Sequence, residues 1–159
     1  MRSPAQRKGH IFNVSSVAGF RGDPGGGIYS TSKFAIEGLS ESLAGELAPL
    51  GIKVTIVEPG YFRADFLTSG SMQVAVNVLH DYDATAGQVR RLMKEYDGRQ
   101  ANDPRKLARA IVTLANSNEP PLRFTAGADA VTWFEEQLAK KRAELDRWRT
   151  LSSSLAFEQ

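Results

Sequence analysis

Two short β-branched runs flank a long helical pattern, and that spacing dictates a parallel sheet. His10-Ile11-Phe12-Asn13-Val14-Ser15-Ser16 is the first run. It is short, apolar on both faces and ended by small polar residues, as a buried strand is. Ile52-Lys53-Val54-Thr55-Ile56-Val57-Glu58 is the second, closed by Pro59-Gly60. Between them Ile36, Leu39, Leu43, Leu47 and Leu50 recur at three- and four-residue intervals. That period predicts a helix over residues 29–50 with one apolar face, stopped by Gly51. A helical crossover joins parallel neighbours, whereas a hairpin needs only a tight turn.

The pattern then repeats. Residues 61–101 are irregular, with a short helix expected near 88–96. Asp103-Pro104 opens a helix through residue 116, with the aspartate as cap and the proline in the first turn. Its apolar face is Leu107, Ile111 and Leu114. A third strand is expected at residues 122–125. A last helix at 127–151 should turn Val131, Phe134, Leu138, Leu145 and Trp148 inward, with a frayed tail from residue 152. The class is α/β: about three parallel strands with flanking helices. The apolar first strand suits the middle of a larger sheet, yet here it is expected at an open edge.

The 159 residues form one domain with a real core. Hydrophobic content of 42% and charged content of 24% are those of a globular chain. A net charge of +2 gives no reason to invoke nucleic acid or an anionic membrane surface. Arg2, Arg7 and Lys8 read as a solvated end. No apolar stretch approaches the roughly 20 residues of a membrane helix. Cysteine is absent, which excludes disulfides and thiol chemistry and fits a cytoplasmic setting. His10 and His80 have no ligand-like neighbours, so no metal centre is expected.

Ser16, Tyr29 and Lys33 carry the chemistry. Residues four apart share a helix face, so Tyr29 and Lys33 project together. A phenol has an ordinary pKa of about 10, too high for a ready base at neutral pH. A nearby ammonium favours the phenolate. The Ser16 hydroxyl, at an adjacent strand end, can hold a substrate oxygen beside the phenol. All these positions, with Pro59-Gly60, fall at the C-terminal ends of predicted strands, where parallel sheets bind ligands.

The run Asn13-Val14-Ser15-Ser16-Val17-Ala18-Gly19, the set Tyr29-Ser30-Thr31-Ser32-Lys33 and the closing Pro59-Gly60 resemble the short-chain dehydrogenase/reductase superfamily, in its single-domain branch. The likeness is specific over residues 9–66. It implies a partial Rossmann-like, doubly wound sheet: the C-terminal, catalytic half of an NAD(P)-binding domain, spanning 1–159 as a single partial domain. It implies an oxidoreductase moving hydride between NAD or NADP and a small-molecule alcohol or carbonyl substrate. Tyr29 would be the catalytic acid/base, Lys33 would lower its pKa and bond the nicotinamide ribose, and Ser16 would orient the substrate. Pro59 and Gly60 would meet the nicotinamide. Residues 61–101 match the variable substrate lid, and their apolar side chains suggest a hydrophobic substrate. The 29–50 helix resembles one that pairs subunits, so a homo-oligomer is expected there.

The departures matter too. The Gly-rich turn for the pyrophosphate is missing, and Gly25-Gly26-Gly27 lies too far past the strand to replace it. It reads as a loop bordering the substrate site. Ala64 stands where the family often has a cofactor-binding threonine. A catalytically silent fragment or interaction module is therefore the competing expectation. Ser15 reads as a strand-end residue bonded to backbone.

Overall fold

A computed structural model describes residues 8–68 and 70–157. The basic Arg2 and Arg7 lie outside the described residues. Strand β1 (Gly9–Val14) leads through a 3-10 turn (Val17–Gly19) to helix α1 (Gly27–Leu47). Strand β2 (Ile52–Pro59) follows. Then come helices α2 (Gln88–Tyr96) and α3 (Pro104–Ala115), strand β3 (Arg123–Ala126) and helix α4 (Ala128–Ser153). The three strands are parallel in the order β1-β2-β3. The α/β reading therefore holds: this is a partial Rossmann-like sheet with helices on both faces. Among the described residues β1 has one paired side only, so it forms an edge. No helix there is long and apolar enough to cross a membrane.

The register places side chains on defined faces. Asn13 pairs with Ile56, and Ile56 with Arg123. This face meets α1, where Asn13 Nδ2 donates to Ser40 Oγ at 2.8 Å. The opposite face carries Lys53, whose Nζ holds the loop after α3 by donating to the carbonyls of Ser117 and Asn118 at 3.0 and 2.7 Å. Val54, Ile56, Val57, Ala126 and Ala130 form the buried apolar centre around β2.

Helix α1 keeps the expected period but not the expected chemistry. It starts at Gly27 rather than residue 29, and a 3-10 turn (Ala48–Leu50) finishes it. Gly51 ends it with φ of 69°, a left-handed conformation that glycine adopts without strain. Ser30, Glu37 and Ser40 are its buried residues, while Leu39 is exposed. The seat on the sheet is polar, and Ser40 and Glu37 find partners there. Ser40 Oγ donates to the Ile36 carbonyl at 2.6 Å, and Glu37 faces Arg123. Leucine spacing alone cannot reveal such a seat.

Helix α4 corrects a second expectation. Phe134 packs inward, stacked on Phe20 at 4.1 Å. Val131, Leu138, Leu145 and Trp148 are exposed instead. From residue 138 onward every described side chain is exposed; the helix runs beyond the sheet, and Lys141, bonded to the Phe20 carbonyl at 3.2 Å, ties it back. Its regular turns continue to Ser153, past the point where fraying was expected.

Strand ends shift by one or two residues. Ser15 and Ser16 lie just past β1, and β3 begins at Arg123 rather than residue 122. Helix α2 falls at the expected 88–96, and Asp103 caps α3 by accepting from the Arg105 amide at 2.8 Å. A parallel bridge between Phe62 and Asn102 ties the base of the 61–101 excursion.

Candidate active site

Lys33 reaches the end of β1, the strand that Ser16 follows. Lys33 Nζ donates to the Val14 carbonyl at 3.1 Å. Its side chain thus crosses from α1 to the strand end. The same ammonium stands 5.6 Å from the centre of the Tyr29 ring, within cation–π range. Burial pushes the Lys33 pKa down. Only one of its three N–H donors is used among the described residues, which leaves capacity for a ligand oxygen.

The tandem serines divide their tasks. Ser15 is buried; its amide donates to the Val57 carbonyl at 2.8 Å and its Oγ to the Lys33 carbonyl at 3.4 Å. It therefore fastens β1 to β2 and to α1. Ser16 Oγ caps the Val17–Gly19 turn by accepting from the Ala18 amide at 3.2 Å. A hydroxyl can donate one bond and accept two, so the Ser16 proton stays available for another oxygen. Tyr29 is half-buried, its ring 5.3 Å from that of Phe66 in the 3-10 turn Asp65–Leu67. Lys33, Tyr29 and the strand end bearing Ser16 are thus gathered at one sheet edge.

Pro59 and Gly60 stand at the neighbouring strand end. The Gly60 amide donates to the Ala126 carbonyl at 2.9 Å. Behind this turn lies a polar lock that sequence reasoning missed. Asp129, in the first turn of α4, accepts from the Tyr61 amide at 2.8 Å and from Asn102 Nδ2 at 2.7 Å. Asn102 Nδ2 also donates to the Tyr61 carbonyl at 2.8 Å. An acidic residue just after Gly127 was the available signal, since first helical turns favour anions.

Aromatic side chains wall the region. Tyr61 meets Tyr96 and Trp133 edge-on, with ring centres 5.4 and 5.6 Å apart. Its hydroxyl donates to Met93 Sδ at 3.2 Å. Burial, with help from Asp23, pushes the Tyr61 phenol up to about 12, so it remains a donor at neutral pH. Arg21 pairs with Asp23 at 3.0 Å and lies over Trp133 at 4.9 Å. The glycine run abuts this wall: a methyl placed on Gly25 would lie 3.1 Å from the Ala86 side chain. Among the described residues no group of three acidic or histidine side chains is arranged to hold a metal.

Known proteins share this architecture. The family model described as short chain dehydrogenase matches residues 1–75. An oxidoreductase of Botryotinia fuckeliana is 39% identical over 95% of this chain and 54% of its own length. A 3-ketodihydrosphingosine reductase of Bacteroides thetaiotaomicron is 40% identical over 76% of this chain and 45% of its own. The crystal structure of a short-chain dehydrogenase from Streptomyces avermitilis superposes with a TM-score of 0.86 at 37% identity, covering 96% of this chain and 55% of that one. The chain spans about half the length of the relatives it matches. It belongs to the short-chain dehydrogenase/reductase superfamily.

Proposed function

We propose that this chain supplies the acid–base centre of an NAD(P)-dependent oxidoreductase acting on an alcohol or carbonyl compound. The observation that carries the reading is Lys33, anchored on the Val14 carbonyl and set over the Tyr29 ring. Tyr29 moves the proton at the substrate oxygen. Lys33 sets a positive charge beside that phenol. Ser16 donates to the same substrate oxygen and orients it.

The residues fit the nicotinamide end of such a cofactor. Lys33 has N–H donors left for ribose hydroxyls, and the Pro59-Gly60 turn borders the same edge. The cofactor, when bound, gives or takes the hydride. Among the described residues nothing resembles a diphosphate cradle. Gly25 is packed on Ala86 rather than open to a ligand.

The substrate lid is the 61–101 segment, which leaves Phe66, Val74, Val76, Leu79 and Tyr82 exposed. Such a surface suits an apolar small molecule. Self-association through α1, which leaves Ile28, Phe34 and Leu39 exposed, belongs to the same reading.

Two measurements test it. Titration with NADH and NADPH is expected to give micromolar binding of one of them. In the protein that turns over, Tyr29→Phe is expected to lower kcat by about 10²-fold or more. Wild-type turnover by that variant would refute the role of Tyr29. Failure to bind either dinucleotide would favour the silent-module alternative.

A further inference from the structure

The lid borders an open groove of about 480 Å³, a size that suits a small organic ligand. Its walls are of two kinds. Leu67, Met72, Val74 and Val78 give an apolar side, while α2 gives Arg90, Arg91 and Lys94. The nine-residue helix carries these three cations against one acid, Glu95, which makes no ion pair among the described residues. Among the described residues neither Arg90 nor Lys94 has a carboxylate partner within ion-pair distance, and Arg91 donates to the Asp83 carbonyl at 3.2 Å. The one acid in the lining, Asp83, is already engaged by His80 Nδ1 at 3.1 Å.

Neither Tyr29 nor Phe66 lines the groove, but the turn that holds Phe66 also supplies one wall residue. Phe66 and Leu67 share one 3-10 turn. Phe66 lies against the Tyr29 ring, and its neighbour Leu67 is buried in the groove wall.

We propose that the lid groove binds an anionic amphiphile, an apolar chain bearing a carboxylate or phosphate, with Arg90, Arg91 and Lys94 receiving the anion. An apolar chain gains by leaving water against the leucine, methionine and valine side. The anion gains from three cations close together, an attraction that salt weakens. Guanidinium groups match carboxylate and phosphate oxygens in geometry as well as charge. Naming this ligand as the substrate rests on the reading of Tyr29 given above. The binding itself does not.

The probe is cis-parinaric acid, a fluorescent polyene carboxylate, with its methyl ester as the neutral comparator. The acid is expected to bind at least about tenfold more tightly than the ester, and more weakly as salt rises. Arg90→Gln combined with Lys94→Gln should weaken the acid about tenfold and the ester less than about twofold. Lys140→Glu, on an exposed turn of α4, should change neither. Dodecanoate and dodecyl phosphate, competed against the probe, distinguish the two head groups; displacement by either supports the proposal.

Equal affinity for acid and ester would overturn it, as would no binding, or an equal loss in Lys140→Glu. Displacement by methyl dodecanoate as strong as by both anions would do so too. Tyr29→Phe keeps the two claims apart. It should bind the probe like the native chain, whether or not turnover depends on Tyr29.

Discussion

The Glu58 carboxylate lies 3.3 Å from Arg123 Nε, yet burial outweighs that partner in setting its protonation. The residue has no exposed surface. Burial pushes its pKa up to about 7; the hydrogen bond from Thr125 opposes this, nearby Glu37 adds to it, and Arg123 opposes it. Arg123 is shared, since it also contacts Glu37 at 3.4 Å and Glu41 at 2.8 Å. One cation among three acids leaves each incompletely compensated.

A pH dependence of stability is the consequence. An unfolded glutamate titrates near 4.3. Below that value both states hold the proton and Glu58 imposes no penalty. As pH rises towards 7 the unfolded state releases its proton first, so stability falls. Above about 7 the penalty is complete, on the order of 3 kcal/mol. Glu58→Gln should therefore melt well above the native chain at pH 8. The gap should close towards pH 4.5. A difference in Tm that is constant across that range would refute the assignment.

The two adjacent serines make opposite predictions. Ser15 is buried and bonded to the Lys33 carbonyl. Ser15→Ala should cost about 1 kcal/mol of stability in urea unfolding. Ser16 has only its cap bond to the Ala18 amide, so Ser16→Ala should cost about 0.5–1 kcal/mol. The larger effect of Ser16→Ala belongs to turnover, which should fall by about 10²-fold if its hydroxyl orients the substrate. Reversed behaviour, with Ser15 controlling rate and Ser16 only stability, would exchange their roles.

Much of this was legible in the chain. The period of Ile36, Leu43 and Leu47 located α1, and Gly51 marked its end, because backbone geometry and spacing are local properties. What escaped were the long-range polar contacts. Glu37 and Glu58 are 21 positions apart, and Arg123 lies far beyond both; only the pairing of Ile56 with Arg123 brings them together. Asp129 and Asn102 were hidden likewise, since their shared partner is the Tyr61 backbone. The outward face of α4 escaped for a different reason. An apolar period announces a face but not what covers it, and Leu138, Leu145 and Trp148 are left exposed.

Gly60 packs against the Asp129 lock. A methyl group there would stand 2.5–2.6 Å from the Asp129 carboxylate, so either the turn or the start of α4 must shift. Gly60→Ala should cost about 1–3 kcal/mol by overpacking. Asp129→Ala should cost a similar ~1–3 kcal/mol, by stranding the Tyr61 amide and one Asn102 N–H. Because both act on one contact, the double variant should lose less than the sum of the singles. Strict additivity in urea midpoints would show that the contact does not hold the turn.

The free side of β1 makes the last prediction. Among the described residues no strand pairs with that side, where only the Val14 carbonyl is held, by Lys33 Nζ, and Val14 is 54% exposed at its end. An uncovered strand edge templates pairing with another strand. Phe12 lies mid-strand, half-buried, with its ring 3.9 Å from His10. The 159-residue chain should therefore associate with itself as concentration rises. Sedimentation velocity over about a hundredfold range of concentration measures this directly. Phe12→Lys places a charge on the edge and should weaken association about tenfold, since edge lysines oppose strand addition. Surface variants on α1, such as Leu39→Glu, separate the two possible interfaces. If Leu39→Glu disperses the assembly and Phe12→Lys does not, the helix rather than the strand edge makes the contact. A single monomeric species at every concentration would sink both.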